Sequence, residues 1–161
     1  MSPPRRRHPS TSWIGDFPQR ARVEAAVRAA FPDIRIRRRR APHTWLHVYT
    51  ARVVMPGGYE TRTVSVEVDC RYPDHPEVFA DGPTDSPHRW PDRDRHRLCI
   101  WYPSDPPDRR WVPDDGLLAL FGLATQHLFL EAWWREHGEW LGPEAPHSPA
   151  LSEATCKTDG K

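Results

Sequence analysis

The 161-residue sequence has few lysines, few cysteines and no long apolar run. Lysine occurs only as Lys157 and Lys161 beside many arginines, a usual consequence of a GC-rich genome. No apolar run has the length of a signal peptide or a membrane span, and no CxxC pair, GxGxxG loop or phosphate-binding Gly-Lys loop occurs. These absences give no indication of a membrane protein or of nucleotide chemistry.

The three cysteines, Cys70, Cys99 and Cys156, are an odd number and lie far apart. Disulfide-stabilised secreted domains normally carry an even number, so a reducing cytoplasm is the expected compartment. Cys70 ends an alternating segment and is expected to be a small core residue, because a free cysteine packs like an apolar side chain. Cys99, between Leu98 and Ile100, is the candidate for chemistry.

Charge is distributed unevenly along a chain that is large enough for one domain. Residues 1–40 hold eleven arginines against three carboxylates, a balance of +8 that leaves −7 on the remainder. Such a segment is either a solvated surface or a docking surface for an acidic partner or nucleic acid. The docking candidates lie on the first predicted helix and just after it: Arg20, Arg22, Arg28 and Arg37.

Apolar periodicity predicts an α+β domain over residues 16–147, between a disordered basic tail at 1–15 and a disordered tail at 148–161. A first amphipathic helix begins near Asp16 and ends at Phe31-Pro32. Its predicted apolar stripe consists of Val23, Ala26, Val27 and Ala30.

Three or four strands are expected to follow, and the segment 61–70 shows the clearest alternation. Residues 80–97 show no periodicity and are predicted to be a long ordered loop, a feature that is usually functional. A second helix is predicted from Pro113–Gly116 to His137-Gly138. Its predicted buried face consists of Leu117, Leu120, Phe121, Ala124, Leu128 and Trp134.

Short motifs then occur in a recognisable order: Tyr72-Pro73-x-x-Pro76-x-Val78, Leu98-Cys99, Trp111-x-Pro113 before a helix, and Glu139-Trp140-Leu141-Gly142. Over residues 16–147 their order and spacing resemble ubiquitin-conjugating enzymes, and more closely the bacterial branch of that family. The resemblance implies an N-terminal helix, a four-stranded antiparallel meander, an active-site loop and C-terminal helices. The spacing of twelve from the cysteine to the tryptophan is a few residues longer than is usual in the eukaryotic enzymes.

The resemblance also implies an activity. Cys99 would accept the C-terminus of a ubiquitin-like or other modifier protein as a thioester and pass it to an amine, without a cofactor. The implied partners are the modifier and an activating enzyme docked on the arginine-rich surface. Because the bacterial branch accompanies nucleotide-signalling antiviral systems, a nucleotidyltransferase is the expected target. Membrane binding is not expected, and nucleic acid is the less favoured partner.

One family feature is missing. The His-Pro-Asn triplet, whose asparagine stabilises the oxyanion formed during amine attack, corresponds to Arg89-Trp90-Pro91. A transferase still needs a donor at this oxygen, since one donor is worth about 3 kcal/mol in such a step. His88, one residue earlier, is the predicted donor, and His96 is the alternative.

The residues around Cys99 fit the same chemistry. Positions 95–97 are basic or histidine, and positive charge favours the thiolate that attacks an acyl carbon. Asp105 and Asp108 follow in the next loop, where a carboxylate can orient or deprotonate the amine. A simple role in the loop turn is the alternative for each aspartate.

Two other classes of function are compatible with the sequence. A non-catalytic binding module of the same fold would not need the cysteine that is retained here. A cysteine hydrolase would pair Cys99 with His88, His127 or His147. The spacing of His88, His96 and Cys99 is irregular for zinc, and no metal site is expected.

Overall fold

A computed structural model describes residues 12–102 and 105–142. Its elements confirm the α+β class. In chain order they are α1 (Phe17–Ala30), β1 (Arg35–Ala41), β2 (Thr44–Val53), a 3₁₀ turn (Pro56–Gly58), β3 (Arg62–Asp69), β4 (Glu77–Ala80), β5 (Arg89–Asp92), β6 (Arg95–Leu98), a second 3₁₀ turn (Pro113–Asp115) and α2 (Gly116–His137). The predicted tail at 148–161 lies outside the described residues.

Helix α1 begins where the sequence predicts. The side chain of Asp16 accepts a hydrogen bond from the backbone N–H of Gln19 at 3.0 Å, and Pro18 occupies the first turn. At the other end the N–H of Phe31 donates to Val27 O at 2.9 Å. These local signals account for both ends of the helix.

The buried face of α1 differs from the predicted apolar stripe. Glu24 and Val27 are buried, whereas Ala26 and Ala30 are exposed. The Glu24 carboxylate is accommodated because the Tyr49 hydroxyl donates to it at 2.7 Å. A buried polar group with a good partner costs far less than an unpaired one.

The sheet has six antiparallel strands in the order β1-β2-β3-β4-β6-β5, which corrects the expected four-stranded meander. The additional pair is a hairpin formed by β5 and β6 inside the segment 80–97, for which the sequence predicted no secondary structure. Each of these strands has four residues, too few for a clear alternation. Pro91 is tolerated because β5 is an edge strand.

The two faces of the sheet have different chemistry. On β3 the predicted alternation is confirmed, because Val64, Val66 and Val68 are buried in the main core. On the opposite, outer face of the sheet, Glu67 forms ion pairs of 2.8 Å with Arg39 and with Arg95. The core therefore lies on one face only, and ion pairs cover the other.

Helix α2 carries the predicted buried face from Leu117 to Leu128, and Trp134 at its end is half-buried. It ends at Gly138, whose left-handed backbone lets its N–H donate to Trp134 O at 2.7 Å. Within the described residues after Cys99 it is the one α-helix, so the plural C-terminal helices of the prediction are reduced to one there. No helix in residues 12–102 or 105–142 is long and apolar enough to cross a bilayer.

The predicted boundary between tail and domain at residue 15 is too late. Trp13 and Ile14 are only 5% and 1% exposed and belong to the hydrophobic core. They form a turn before Asp16, so the folded domain includes residues 12–15. The remainder of the predicted tail, residues 1–11, lies outside the described residues.

Candidate functional site

Cys99 follows the last residue of β6 and is half-buried. Its backbone N–H donates to the carbonyl oxygen of His88 at 2.9 Å, which ties it to the residue that precedes β5. Cys99 also lines a cavity of about 510 Å³, a size in the range of ligand pockets. The other residues of this cysteine cavity are His75, Pro76, Val78, Trp90, Arg97, Leu98, Ile100, Trp101 and Tyr102.

The Tyr-Pro and Trp-Pro motifs meet beside this site through a residue that the sequence analysis left in the tail. The indole N–H of Trp13 donates to Pro73 O at 3.0 Å, and its ring makes an edge contact with Trp111 at 6.2 Å. Trp111 is 1% exposed and donates to Gly116 O at 2.8 Å, at the start of α2. The segments before and after the cysteine are thus packed together.

The arginines near Cys99 form ion pairs with carboxylates on the outer face of the sheet. Arg97 forms an ion pair with Glu77 at 2.7 Å, and Arg95 forms one with Glu67 at 2.8 Å. The guanidinium of Arg95 also lies 3.8 Å from the centre of the Phe79 ring. Because Arg95 shares Glu67 with Arg39, the positive surroundings expected from positions 95–97 are compensated only in part.

The imidazole of His88 lies away from the cysteine cavity. It is 3% exposed and stacks on Trp140 with 3.6 Å between ring centroids, and an edge contact joins it to His127 at 6.1 Å. His88 is not among the residues that line the cavity. A backbone hydrogen bond links His88 to Cys99, and a role of the His88 ring as oxyanion donor stays a prediction.

Arg89, the first residue at the position of the missing triplet, forms a buried ion pair with Glu131. Arg89 is opposite Leu98 in the β5–β6 hairpin, and its guanidinium binds both carboxylate oxygens of Glu131 on α2 at 2.9 to 3.0 Å. Both side chains are essentially inaccessible, and Arg89 also donates to Ala80 O at 3.1 Å. The ion pair fastens the start of β5 to α2. The start of β5 lies opposite the end of β6, directly before Cys99.

Burial raises the pKa of Glu131, but the nearby His127 imidazole and the hydrogen bonds and charge of Arg89 outweigh it. The pKa of this carboxyl group is therefore below its ordinary value of 4.5. His127 Nε2 is 3.4 Å from Glu131, longer than the contacts of Arg89, so the bidentate guanidinium is the stronger partner. Glu131 stays ionised at neutral pH.

The two loop aspartates have different surroundings. Asp105 accepts a hydrogen bond from the N–H of Tyr102 at 2.9 Å, and its own N–H donates to Tyr102 O at 3.0 Å. This contact fits the turn-forming alternative. Asp108 is exposed in the same loop, and neither carboxylate lines the cysteine cavity.

The four predicted docking arginines do not form one surface. Arg20 and Arg28 lie on α1 and are both paired with Glu24, at 3.7 and 2.9 Å. Arg22 is exposed and lines a groove of about 840 Å³ beside the Tyr-Pro turn. Arg37 is paired with Val48 in the sheet register and therefore lies on the outer face, opposite the helices.

Three residues near the site were not identified from the sequence. Trp13 could have been found because two adjacent large apolar residues, Trp13 and Ile14, are more often buried than part of a tail. Glu131 continues the i, i+3, i+7 stripe of α2 and so marks a buried carboxylate. The stacking of Trp140 on His88 has no local signal, since the two are 52 positions apart.

The other histidines considered as partners of Cys99 have the following positions. His127 lies against Glu131 rather than in the cysteine cavity, His96 pairs with Pro91 within the hairpin, and His147 lies outside the described residues. In residues 12–102 and 105–142 no group of three or more histidine, cysteine, aspartate or glutamate side chains is arranged to hold a metal ion.

A comparison with protein families adds independent information. A family model described as E2-CBASS, Type II CBASS E2 protein, matches residues 23–148. That range includes every residue that lines the cysteine cavity and all of α2. No curated protein matches the chain. The family model covers well over half of the sequence, and the chain therefore belongs to the Type II CBASS E2 proteins, a bacterial E2-like family of antiviral defence.

Proposed function

We propose that the protein is a ubiquitin-conjugating-like transferase of the CBASS system and that Cys99 is its acceptor thiol. The observation that carries this proposal is the position of Cys99 in a cavity of about 510 Å³ with walls of aromatic and aliphatic side chains. An extended protein C-terminus can lie along such walls while its terminal carbonyl reaches the sulfur. Apolar walls with few polar groups are typical of sites that bind a chain segment.

The proposed reaction has two steps. The Cys99 thiolate attacks the carbonyl carbon of a modifier that an activating enzyme presents as a thioester, so that a new C–S bond forms and the activator's thiol leaves. A target amine then attacks this second thioester. A C–N bond forms, the Cys99 sulfur departs as thiolate, and the amine gives its proton to a base. Asp108 is the proposed base because it is exposed in the loop after Cys99, where an incoming amine can meet it outside the cavity, and Asp105 is proposed to hold the loop through Tyr102.

His88 is proposed to position the thiol. Its carbonyl oxygen holds the Cys99 N–H at 2.9 Å, and its ring stacks on Trp140, so its burial fixes the backbone that presents Cys99. Oxyanion stabilisation needs donors about 3 Å from the developing charge. Trp90, which lines the cavity and lies in the position of the missing triplet, is the proposed donor through its indole N–H.

The proposed partners follow from the family. A ubiquitin-like or other modifier supplies the C-terminus, an activating enzyme supplies the thioester, and a nucleotidyltransferase is the proposed target. Arg22 is the proposed docking residue for the activating enzyme, because it is exposed beside the groove between α1 and the Tyr-Pro turn.

A charging assay tests the proposal. The purified protein, incubated with a candidate modifier and activator, is expected to give an adduct on a non-reducing gel that a thiol reagent removes. Cys99→Ala should abolish the adduct. Cys70→Ala is the matched control and should keep it, because burial raises the pKa of the Cys70 thiol. An adduct that survives Cys99→Ala would refute the assignment, and a wild type that never charges would favour the non-catalytic binding module.

A further inference from the structure

A second cavity, of about 290 Å³, lies between the start of α1 and strands β1 and β2. It shares no lining residue with the cysteine cavity. Several water molecules would fit, since one occupies about 30 Å³ in the liquid. No carboxylate is among its lining residues, which are Ser12, Ile14, Gly15, Arg20, Arg38, His47 and Cys70.

Two arginines line the cavity, whereas the carboxylates that act on its lining groups, Glu24 and Asp69, are each bound by another arginine. Glu24 is the nearest carboxylate on α1, but the Tyr49 hydroxyl and Arg28 bind its two oxygens at 2.7 and 2.9 Å. Arg20 is left with a long contact of 3.7 Å to Glu24, and one of its nitrogens donates to Ile14 O at 2.8 Å. A single carboxylate therefore serves two guanidinium groups on this helix.

Arg38 adds a further charge from β1. Its guanidinium lies 4.9 Å from the centre of the Trp45 ring, and within the part of the chain that the structure describes no carboxylate forms an ion pair with it. In contrast, its neighbour Arg39 is paired with Glu67 at 2.8 Å. A planar guanidinium held against an aromatic ring is well suited to bind an oxyanion with two parallel hydrogen bonds.

The third polar group is His47, which is directly opposite Arg38 in the sheet register and is 7% exposed. Burial lowers the pKa of this imidazole, and the charges of Arg20 and Arg38 lower it further, while Glu24 acts in the opposite direction. The Cys70 thiol lines the same cavity, and burial raises its pKa. Without an anion, both groups are therefore neutral near pH 7.

We propose that this cavity is a binding site for the phosphate group of a small molecule, with Arg20, Arg38 and the buried His47 as its ligands. Two arginines line a space that has no carboxylate among its lining residues, and an anion would balance charge that Glu24 compensates only in part. The site is independent of the thioester chemistry proposed for Cys99.

The arrangement also couples anion binding to a proton. An anion between the two guanidinium groups offsets the repulsion that disfavours the charged imidazole, so binding raises the pKa of His47. By linkage, affinity for the anion must then rise as pH falls through the range between the two pKa values. Sulfate is the suitable probe for this dependence, because it does not change its own charge there, whereas phosphate does.

Titration by nuclear magnetic resonance at constant ionic strength tests the proposal, with chloride as the background anion. Sulfate and inorganic phosphate should both shift the ring signals of His47 and raise its pKa. Arg38→Gln should weaken binding about tenfold or more, since a charged hydrogen bond is lost. Arg37→Gln is the matched control, because it removes the same charge from the adjacent position on the other face of β1.

Three results would overturn the proposal: no saturable shift of His47, equal loss of affinity in the Arg37 and Arg38 variants, or sulfate affinity that does not change with pH. His47→Gln should abolish the pH dependence while the fold, measured by the dispersion of the remaining signals, is kept. Adenosine monophosphate distinguishes the source of the phosphate group. Tighter binding than inorganic phosphate identifies a nucleotide ligand, and equal binding identifies the free oxyanion.

Discussion

The two free cysteines that the structure describes are half-buried and each follows a strand, yet their surroundings differ. Cys70 lies in a small cavity beside Arg20 and Arg38, where burial raises the pKa of its thiol although arginines are near. Cys99 lies in a larger cavity with aromatic walls, and the arginines before it are paired with carboxylates. The positive charge near a cysteine thus does not identify the acceptor. The space for a peptide beside its sulfur is what favours Cys99 as the proposed acceptor.

The buried carboxylates that stabilise the two regions also differ in the exposure of their partners. On the Cys99 side, Arg89 and Glu131 form an ion pair whose side chains are 1% and 0% exposed. On the Cys70 side, Glu24 is buried, but its partner Arg28 is 55% exposed. Solvent can therefore replace Arg28, the charged partner of Glu24, but it cannot replace Arg89, the charged partner of Glu131.

The largest expected effect separates these supports. Glu131→Gln should lower the free energy of unfolding by about 3–5 kcal/mol, because Arg89 keeps a buried charge without its counterion. Glu24→Gln is the matched control and should cost about 1–3 kcal/mol, the range for a buried group that loses a charged hydrogen bond. Urea unfolding measures both variants. Equal losses, or a larger loss for Glu24→Gln, would show that the two supports do not differ as described.

The pH dependence of stability should follow Glu131. Because its pKa is lowered on folding, its contribution is complete above the ordinary value of 4.5 and is lost as pH falls from there toward about 2. Asp69, whose pKa is lowered to about 2 mainly by Arg71, contributes in the same range. Subtracting the Glu131→Gln curve from the wild-type curve isolates the Glu131 contribution, and a flat difference between pH 7 and pH 3 would contradict its assignment.

The next effect concerns His88. His88→Ala should reduce stability by about 2 kcal/mol, the order expected for a buried ring. It should also slow charging and discharge of Cys99 together, because both depend on the backbone that His88 holds. His88→Phe keeps the stacking on Trp140 and should restore both steps.

The phenylalanine variant distinguishes positioning from catalysis. A phenyl ring has no N–H group, so an oxyanion donor at this position would be lost. If His88→Phe charges normally but discharges about 100-fold more slowly, the donor predicted from the sequence is correct and the positioning role is not. Single-turnover chase with a free amine measures the two steps separately.

The smallest effect concerns the arginine surface. Arg22→Glu should weaken association with the activating enzyme up to about fivefold at low salt, the size of about 1 kcal/mol for an exposed charge. Arg37→Glu should leave it unchanged, since Arg37 lies on the opposite face of the sheet. Raising the salt from 0.1 to 1 M shortens the Debye length from about 10 to about 3 Å and should remove the difference. If the affinity does not change with salt, or if Arg37→Glu weakens association more than Arg22→Glu, the docking surface lies elsewhere.

The sequence predicted those parts of the fold that have local signals. The cap at Asp16, the alternation on β3 and the glycine end of α2 all depend on neighbouring residues, and the structure confirms them. The β5–β6 hairpin was missed because four-residue strands that contain arginine and proline have no period to detect. Its stability comes instead from Arg89 and a partner 42 positions away.

The parts of the candidate site that were predicted are those marked by short sequence motifs. Cys99 and the two proline motifs are recognisable by order and spacing, and the structure brings the motif segments together through Trp13. The position of the His88 ring could not be predicted, because it depends on Trp140, which is remote in sequence. Side-chain direction in an irregular segment is set by tertiary packing rather than by the local pattern.

The most direct test of whether Cys99 or Cys70 is the acceptor replaces each thiol by a serine hydroxyl, which traps the modifier as an ester. In a charging reaction, Cys99→Ser should carry the modifier as an ester that resists reducing agents, and peptide mass spectrometry should place it at residue 99. Cys70→Ser should instead give the ordinary reductant-sensitive thioester on Cys99. Both results are expected if Cys99 is the acceptor thiol. A stable ester at residue 70, or a reductant-sensitive adduct in the Cys99→Ser protein, would contradict that assignment.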